Sequence, residues 1–156
     1  MNAITLWKVV QFSQLTAIQL YQLIKLRSDI FVVEQNCIYS ELDDKDHQTG
    51  VLHLLGYKGE ELIACARLLP AGVSFPSVSI GRVAIKKNMR KKGLGHILMD
   101  QALMCCEEHW PQKNIEISAQ EYLNKFYLQY NFINTSAVYI DDGIPHIDMI
   151  LKKSLL

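Results

Sequence analysis

Residues 78–119 run from a β-branched stretch, through a basic turn punctuated by glycine, into an apolar-striped helical stretch and a second β-prone run. Two strands joined through a helix become parallel neighbours with a right-handed crossover, so this unit commits the chain to an α/β sheet. The turn contains Arg90, Lys91, Lys92, Gly93, Leu94, Gly95 and His96. At the first turn of a helix the backbone N–H groups lack internal partners, and the macrodipole adds partial positive charge. Glycines at 93 and 95 let those groups close on an anion, with three bases beside them. The turn is therefore a candidate pyrophosphate site. It is not the dinucleotide fingerprint, whose third glycine would fall at Leu98, nor a Walker loop, because the bases precede the glycines.

The 156 residues suit one domain, 1–156, with a substantial core. Acidic and basic residues balance at 16 each, which gives no net field for nucleic acid or an anionic membrane. Locally the charges segregate. Residues 86–92 carry five bases and residues 41–46 carry four acids. The acidic run reads either as a hydrated loop or as a draw for a cationic acceptor. Cys37, Cys65, Cys105 and Cys106 have neither zinc-type nor Cys-x-x-Cys spacing and read as reduced thiols. The N-terminal residues lack the pattern of a signal peptide, and no apolar run approaches the ~18 residues of a membrane span. A cytoplasmic location is expected.

Along the chain, residues 4–10 alternate as a first strand, and Ser13 is the expected cap of a helix over 14–33. Leu15, Ile18, Leu23, Leu26 and Ile30 are its expected core face. A polar loop over 36–50 precedes strands at 51–57 and 62–69, joined by a hairpin. After the strand at 78–85, Leu94, Ile97, Leu98, Ala102 and Cys105 trace one face of a helix ending near Trp110. A strand at 114–119, a helix at 121–130 and strands at 132–140 and 146–152 complete a mixed sheet flanked by helices.

Arg90, Gly93 and Gly95 after a strand, with Phe126, Tyr127 and Phe132 on a later helix, resemble the GCN5-related N-acetyltransferase (GNAT) superfamily. The first set matches its acetyl-CoA loop and the second its Phe-Tyr-x-x-x-Gly-Phe helix. Asn131 stands at the usual glycine, a mild departure because Asn also accepts the left-handed conformation that ends a helix. This likeness covers about residues 51–132. Residues 26–37, 80–83, 118–120 and 142–149 are similar to the ElaA-like subfamily, a branch that implies no settled substrate.

The resemblance implies an acyl-CoA N-acyltransferase fold, an N-acetyltransferase reaction and acetyl-CoA as co-substrate. The strands around Val83 and residues 114–119 would splay, with Val83, Ala84 and Ile85 pairing to the pantetheine arm. One of their N–H groups would polarise the thioester carbonyl. Arg90 to His96 would hold the pyrophosphate, and Asn124 would touch the pantetheine or adenosine side. Tyr127 would protonate the departing thiolate, with Tyr122 and Tyr130 as weaker candidates. The amine would attack directly in a ternary complex.

A protonated amine needs a base or a water chain. Glu34 is the first candidate; His53, Glu116 and His146 follow, and Glu34, His53 and His146 are also candidate acceptor-binding residues. No histidine pair has metal-ligand spacing, so no metal is expected. The expected partner is a small-molecule or peptide amine, with neither nucleic acid nor membrane, and exposed strand edges leave a homodimer open. Two further readings remain: a non-catalytic acyl-CoA sensor, and an acyltransferase that uses a longer acyl chain.

Overall fold

The computed structural model describes Ile4 and residues 6–153. Among these residues one eight-stranded mixed sheet runs in the order β1-β2-β3-β4-β5-β8-β6, with β7 also paired to β8. The strands are β1 (Leu6–Gln11), β2 (Leu52–Lys58), β3 (Glu61–Leu69), β4 (Val78–Ile85), β5 (Ile115–Gln120), β6 (Ile133–Asn134), β7 (Tyr139–Asp141) and β8 (Ile144–Leu151). The helices are α1 (Ala17–Ser28), α2 (Leu94–His109) and α3 (Asn124–Leu128). Of the strand expected over 4–10, Thr5 lies outside the described residues.

Both faces of the central strands are covered, which is why β2 and β3 read as nearly unbroken apolar runs. Leu55, Tyr57 and Cys65 pack with Leu23, Leu26 and Ile30 of the first helical segment. Leu54, Ile63 and Ala66 point the other way, into the cluster that includes Leu98, Met99 and Ala102 of α2. The sheet is thus a partition, with α1 and α2 on opposite sides.

The first helix departs from expectation. Thr16, not Ser13, is its cap: the Thr16 hydroxyl accepts from the Gln19 amide (3.1 Å), and Gln19 Oε1 accepts from the Thr16 amide (2.9 Å). Ser13 is instead inside a separate 3-10 turn, Phe12–Gln14, whose last side chain takes the Gln11 N–H. Ile18 is 69% exposed. At 100° per residue it stands about 140° around the helix from Leu23, off the buried face. After Ser28 the backbone widens into a π-helical turn, Asp29–Glu34. The expected 14–33 helix is therefore three pieces.

The C-terminal half is also more broken than its sequence pattern. A 3-10 turn, Glu121–Leu123, precedes α3, which closes through Tyr130 N–H to Tyr127 O (3.0 Å) and Asn131 N–H to Leu128 O (3.1 Å). Asn131 has φ +70°, the left-handed ending its sequence position called for. The strand expected over 132–140 is two short strands, β6 and β7, because both pair back onto β8 and the chain turns between them. Asp142 and Gly143 (φ +48° and +78°) make the tight turn from β7 to β8.

One topological fact positions the site. β4 and β5 are parallel, but their pairing stops after Val78–Ile115 and Ser79–Glu116. Beyond those pairs they part. On its other edge β4 slips register against β3 near Cys65 and Arg67, opposite Arg82 at φ +50°. Such a bulge bends a strand and increases its twist.

Candidate active site

The parting of β4 from β5 opens a cleft of about 710 Å³. Ile80–Ile85 form one wall and Ile117–Gln120 the other. The basic turn, the π-helical turn and the β7–β8 hairpin close its ends.

At the turn, Gly93 caps α2 in a left-handed conformation (φ +71°), and no side chain caps the helix. The first-turn amides are therefore free of any capping side chain. A Cβ on Gly93 would meet nothing within 4 Å, so glycine is required here by backbone conformation and not by crowding. Arg90 Nε donates to Ile85 O (2.9 Å), fastening the turn to the end of β4. Lys91, Gly93, Leu94 and Gly95 border the cleft. Lys92 is exposed and does not border it, and His96 is turned to Tyr130, with its Nδ1 2.8 Å from the Tyr130 hydroxyl. Both stay part of the turn, but their side chains are directed elsewhere.

Tyr127 borders the cleft and is only 7% exposed. Its ring stands edge-on to Phe126 (5.2 Å) and Phe132 (5.9 Å), so the quoted aromatic motif is a single packed cluster. Burial, with a smaller contribution from Tyr122, pushes its phenol up to about 12. It stays protonated at neutral pH. Asn124 is placed differently from expectation. Its amide donates to Asn134 Oδ1 (2.7 Å) and touches the Met149 sulfur (3.5 Å), so it ties α3 to β6 and β8 and does not border the cleft.

The base candidates separate sharply. Glu34 borders the cleft, but both its oxygens accept from Arg90, at 2.6 and 3.0 Å. Those hydrogen bonds hold its carboxyl below the usual range. His53 is corrected: it is buried off the cleft, with Nε2 3.0 Å from Asp46 O, and burial lowers its pKa. It borders instead a small cavity of about 170 Å³ beside Arg27. Glu116 lies in the last paired β4–β5 rung, before the strands separate, and does not border the cleft. His146 does border it.

Three of the four acids in the run are held by arginines, and only Asp44 is solvated as a hydrated loop would have it. Glu41 accepts from Arg27 Nε at 2.5 Å and pairs with Arg82 at 2.8 Å. Asp43 pairs with Arg67 (2.8 Å) and Arg82 (3.3 Å), and Asp46 with Arg27 (2.6 Å) and Arg67 (3.1 Å). Tyr39 hydrogen-bonds Glu41 and lies under the Arg82 guanidinium, 5.6 Å from ring centroid to Cζ. This network clamps the loop to α1, β3 and the β4 bulge. Its sequence signal was the placement of arginines inside apolar runs, where an unpaired cation is prohibitive. A second missed feature is the reciprocal amide pair of Gln35 and Gln120 (3.2 and 3.4 Å), which joins the π-helical turn to the end of β5.

Residues 31–153 match the family model described as an acetyltransferase (GNAT) domain. The chain belongs to the GNAT acetyltransferase family. Protein ElaA of Escherichia coli (strain K12) is 42% identical over 143 residues, covering 92% of this chain and 94% of ElaA. The crystal structure of Escherichia coli ElaA has a TM-score of 0.88 at 41% identity, with 93% of this chain and 97% of that one covered. An acyl-CoA N-acyltransferase from Pseudomonas aeruginosa has a TM-score of 0.89 at 39% identity, covering 92% and 97%. An aminoglycoside 6′-N-acetyltransferase complexed with coenzyme A shares only the fold (TM-score 0.68, 12% identity, 92% and 96% covered). GNAT membership and this fold support acyl-CoA-dependent acyl transfer. Among the described residues no helix is long and apolar enough to cross a membrane.

Proposed function

We propose that this GNAT member transfers an acetyl group from acetyl-CoA directly to a primary amine held in the same cleft. The carrying observation is that β4 and β5 part beyond Ser79 and Glu116 with Tyr127 bordering the opening. The unpaired edge of β4 at Val83, Ala84 and Ile85 suits the pantetheine amides, which would add to it as a short strand. The capless N-terminus of α2 and the neighbouring bases suit the diphosphate. Acetyl-CoA would supply the activated acyl group, and the residues of this chain bind, orient and move protons.

Tyr127 is the proton donor to the departing thiolate in this reading. A phenol near 12 is a weaker acid than an ordinary thiol, at ~8.5, so the transfer must be concerted with cleavage of the C–S bond. Burial keeps the proton in place until then. A covalent acyl-enzyme is disfavoured by the state of the thiols. Cys65 and Cys106 are buried with thiols pushed up to about 12, and Cys37, which borders the cleft, gives its S–H to Asp142 O (3.1 Å). Four free, buried cysteines also fit a reducing cytoplasm.

Glu34 in this reading orients the cationic acceptor and does not take its proton, because Arg90 occupies both oxygens and weakens the carboxylate as a base. A thiol-release assay with acetyl-CoA and a panel of amines tests the function. Release that depends on the amine supports it. Binding of acetyl-CoA without release under any amine would leave a sensor.

A further inference from the structure

Resting on that amine-acetylation reading, we propose that His146 is the general base for the acceptor amine and that Tyr139 positions its ring. The nitrogen of a neutral primary amine becomes steeply more acidic as its bond to carbon forms, and a nearby lone pair is then needed to take the proton. Imidazole is the side chain best matched to that task near neutral pH.

His146 lies on β8 directly across from Gln120 of β5, and both border the cleft. Its Nδ1 is 2.7 Å from Ile144 O. A carbonyl oxygen can only accept, so Nδ1 carries the hydrogen and Nε2 keeps the lone pair. The ring lies nearly parallel to Tyr139, with centroids 6.1 Å apart and planes 24° apart. Tyr139 is itself fixed: its hydroxyl donates to Asp148 Oδ1 (2.6 Å) and accepts from Ser118 Oγ (2.5 Å). A half-buried strand residue with no function would not need a tautomer set by one contact and a ring plane set by another.

Asp141 and Asp142 of the β7–β8 hairpin border the cleft with His146, as do Tyr39, Tyr122, Arg82, Lys91 and the Glu34–Arg90 pair, while Tyr139 stacks on the ring and Asp148 holds Tyr139. In the step, the amine nitrogen bonds to the thioester carbon while its proton passes to Nε2. The C–S bond breaks and the sulfur takes the Tyr127 proton, giving amide and thiol. Imidazolium then loses its proton to water, and the phenolate regains one.

The test uses the full chain with acetyl-CoA and three acceptors: 1,4-diaminobutane, alaninamide and kanamycin. His146→Asn keeps an amide N–H for the Ile144 carbonyl but has no basic nitrogen. Its kcat should fall about 100-fold or more, with acetyl-CoA affinity and melting temperature kept. The loss should shrink as pH rises and hydroxide takes over removal of the proton. His146→Ala should regain at least tenfold activity with added imidazole, which no structural role would produce, and Tyr139→Phe should leave that rescue intact. Thiol release by the unaltered chain, together with a His146→Asn kcat within threefold of it or no imidazole rescue, overturns the base. No release from the unaltered chain with any acceptor removes the proposed function, and the base assignment with it.

Discussion

Glu34 and Arg90 close a bidentate ion pair, 2.6 and 3.0 Å, that joins the π-helical turn to the basic turn across the mouth of the cleft. The two side chains are 30% and 34% exposed, respectively, so the pair is worth no more than about 1 kcal/mol. The carboxylate nevertheless holds the same guanidinium that a diphosphate would use.

Glu34→Gln should therefore free Arg90 and tighten acetyl-CoA binding by up to about fivefold in calorimetry. The kcat/KM for the amine should fall in the same variant. Weaker cofactor binding would mean that the pair preorganises Arg90 instead of competing for it.

Tyr127→Phe removes one oxygen from a packed aromatic cluster and leaves the ring contacts in place. We expect kcat to drop by on the order of tenfold or more, with acetyl-CoA affinity unchanged. An unaltered kcat would end its role as proton donor.

Gly93 has open space where a Cβ would go, yet φ +71°. Gly93→Val should weaken acetyl-CoA binding far more than Gly93→Asn, because Asn tolerates the left-handed region and a β-branched residue does not. Equal effects of the two variants, measured by titration calorimetry, would show that side-chain bulk matters here and backbone shape does not.

Arg27 is 1% exposed and bridges Glu41 and Asp46. Arg27→Met leaves the buried network one cation short, with only Arg82 on Glu41 and Arg67 on Asp46, and should cost about 3–5 kcal/mol in urea unfolding. Burial alone would raise the pKa values of Asp43 and Asp46, but the hydrogen bonds and charges of Arg27, Arg67 and Arg82 outweigh it and hold both low. Depressed folded values stabilise the protein above the ordinary carboxylate range, near ~3.9, and that contribution disappears as acid takes pH down through the folded values. Unfolding midpoints should fall from pH 5 toward pH 2, less steeply in Arg27→Met. A midpoint indifferent to acid would place the network's stabilising effect elsewhere.

The basic turn, α2, the β2–β3 hairpin and the left-handed Asn131 are readable in the sequence, because local residues alone determine each. Four features resisted because their causes are distant in the chain. Arg27 and Asp46 meet across 19 residues, and Gln35 and Gln120 across 85. Splitting of the expected 132–140 strand follows from pairing with β8, a segment that had not yet appeared in the chain. The wall of the cleft resisted for a similar reason. His53 and His146 are both strand histidines in sequence, and only the separation of β4 from β5 decides which one meets the cleft.

The wide turn at Asp29–Glu34 closes its hydrogen bonds over one more residue than an ordinary helix does. Winding the same six residues as an ordinary helix, with none removed, would swing everything after them by roughly 100°. Glu34 would lose Arg90, and Gln35 would lose Gln120. The π-helical wall of the cleft thus depends on one absorbed residue, while the wall built on β4 and α2 does not.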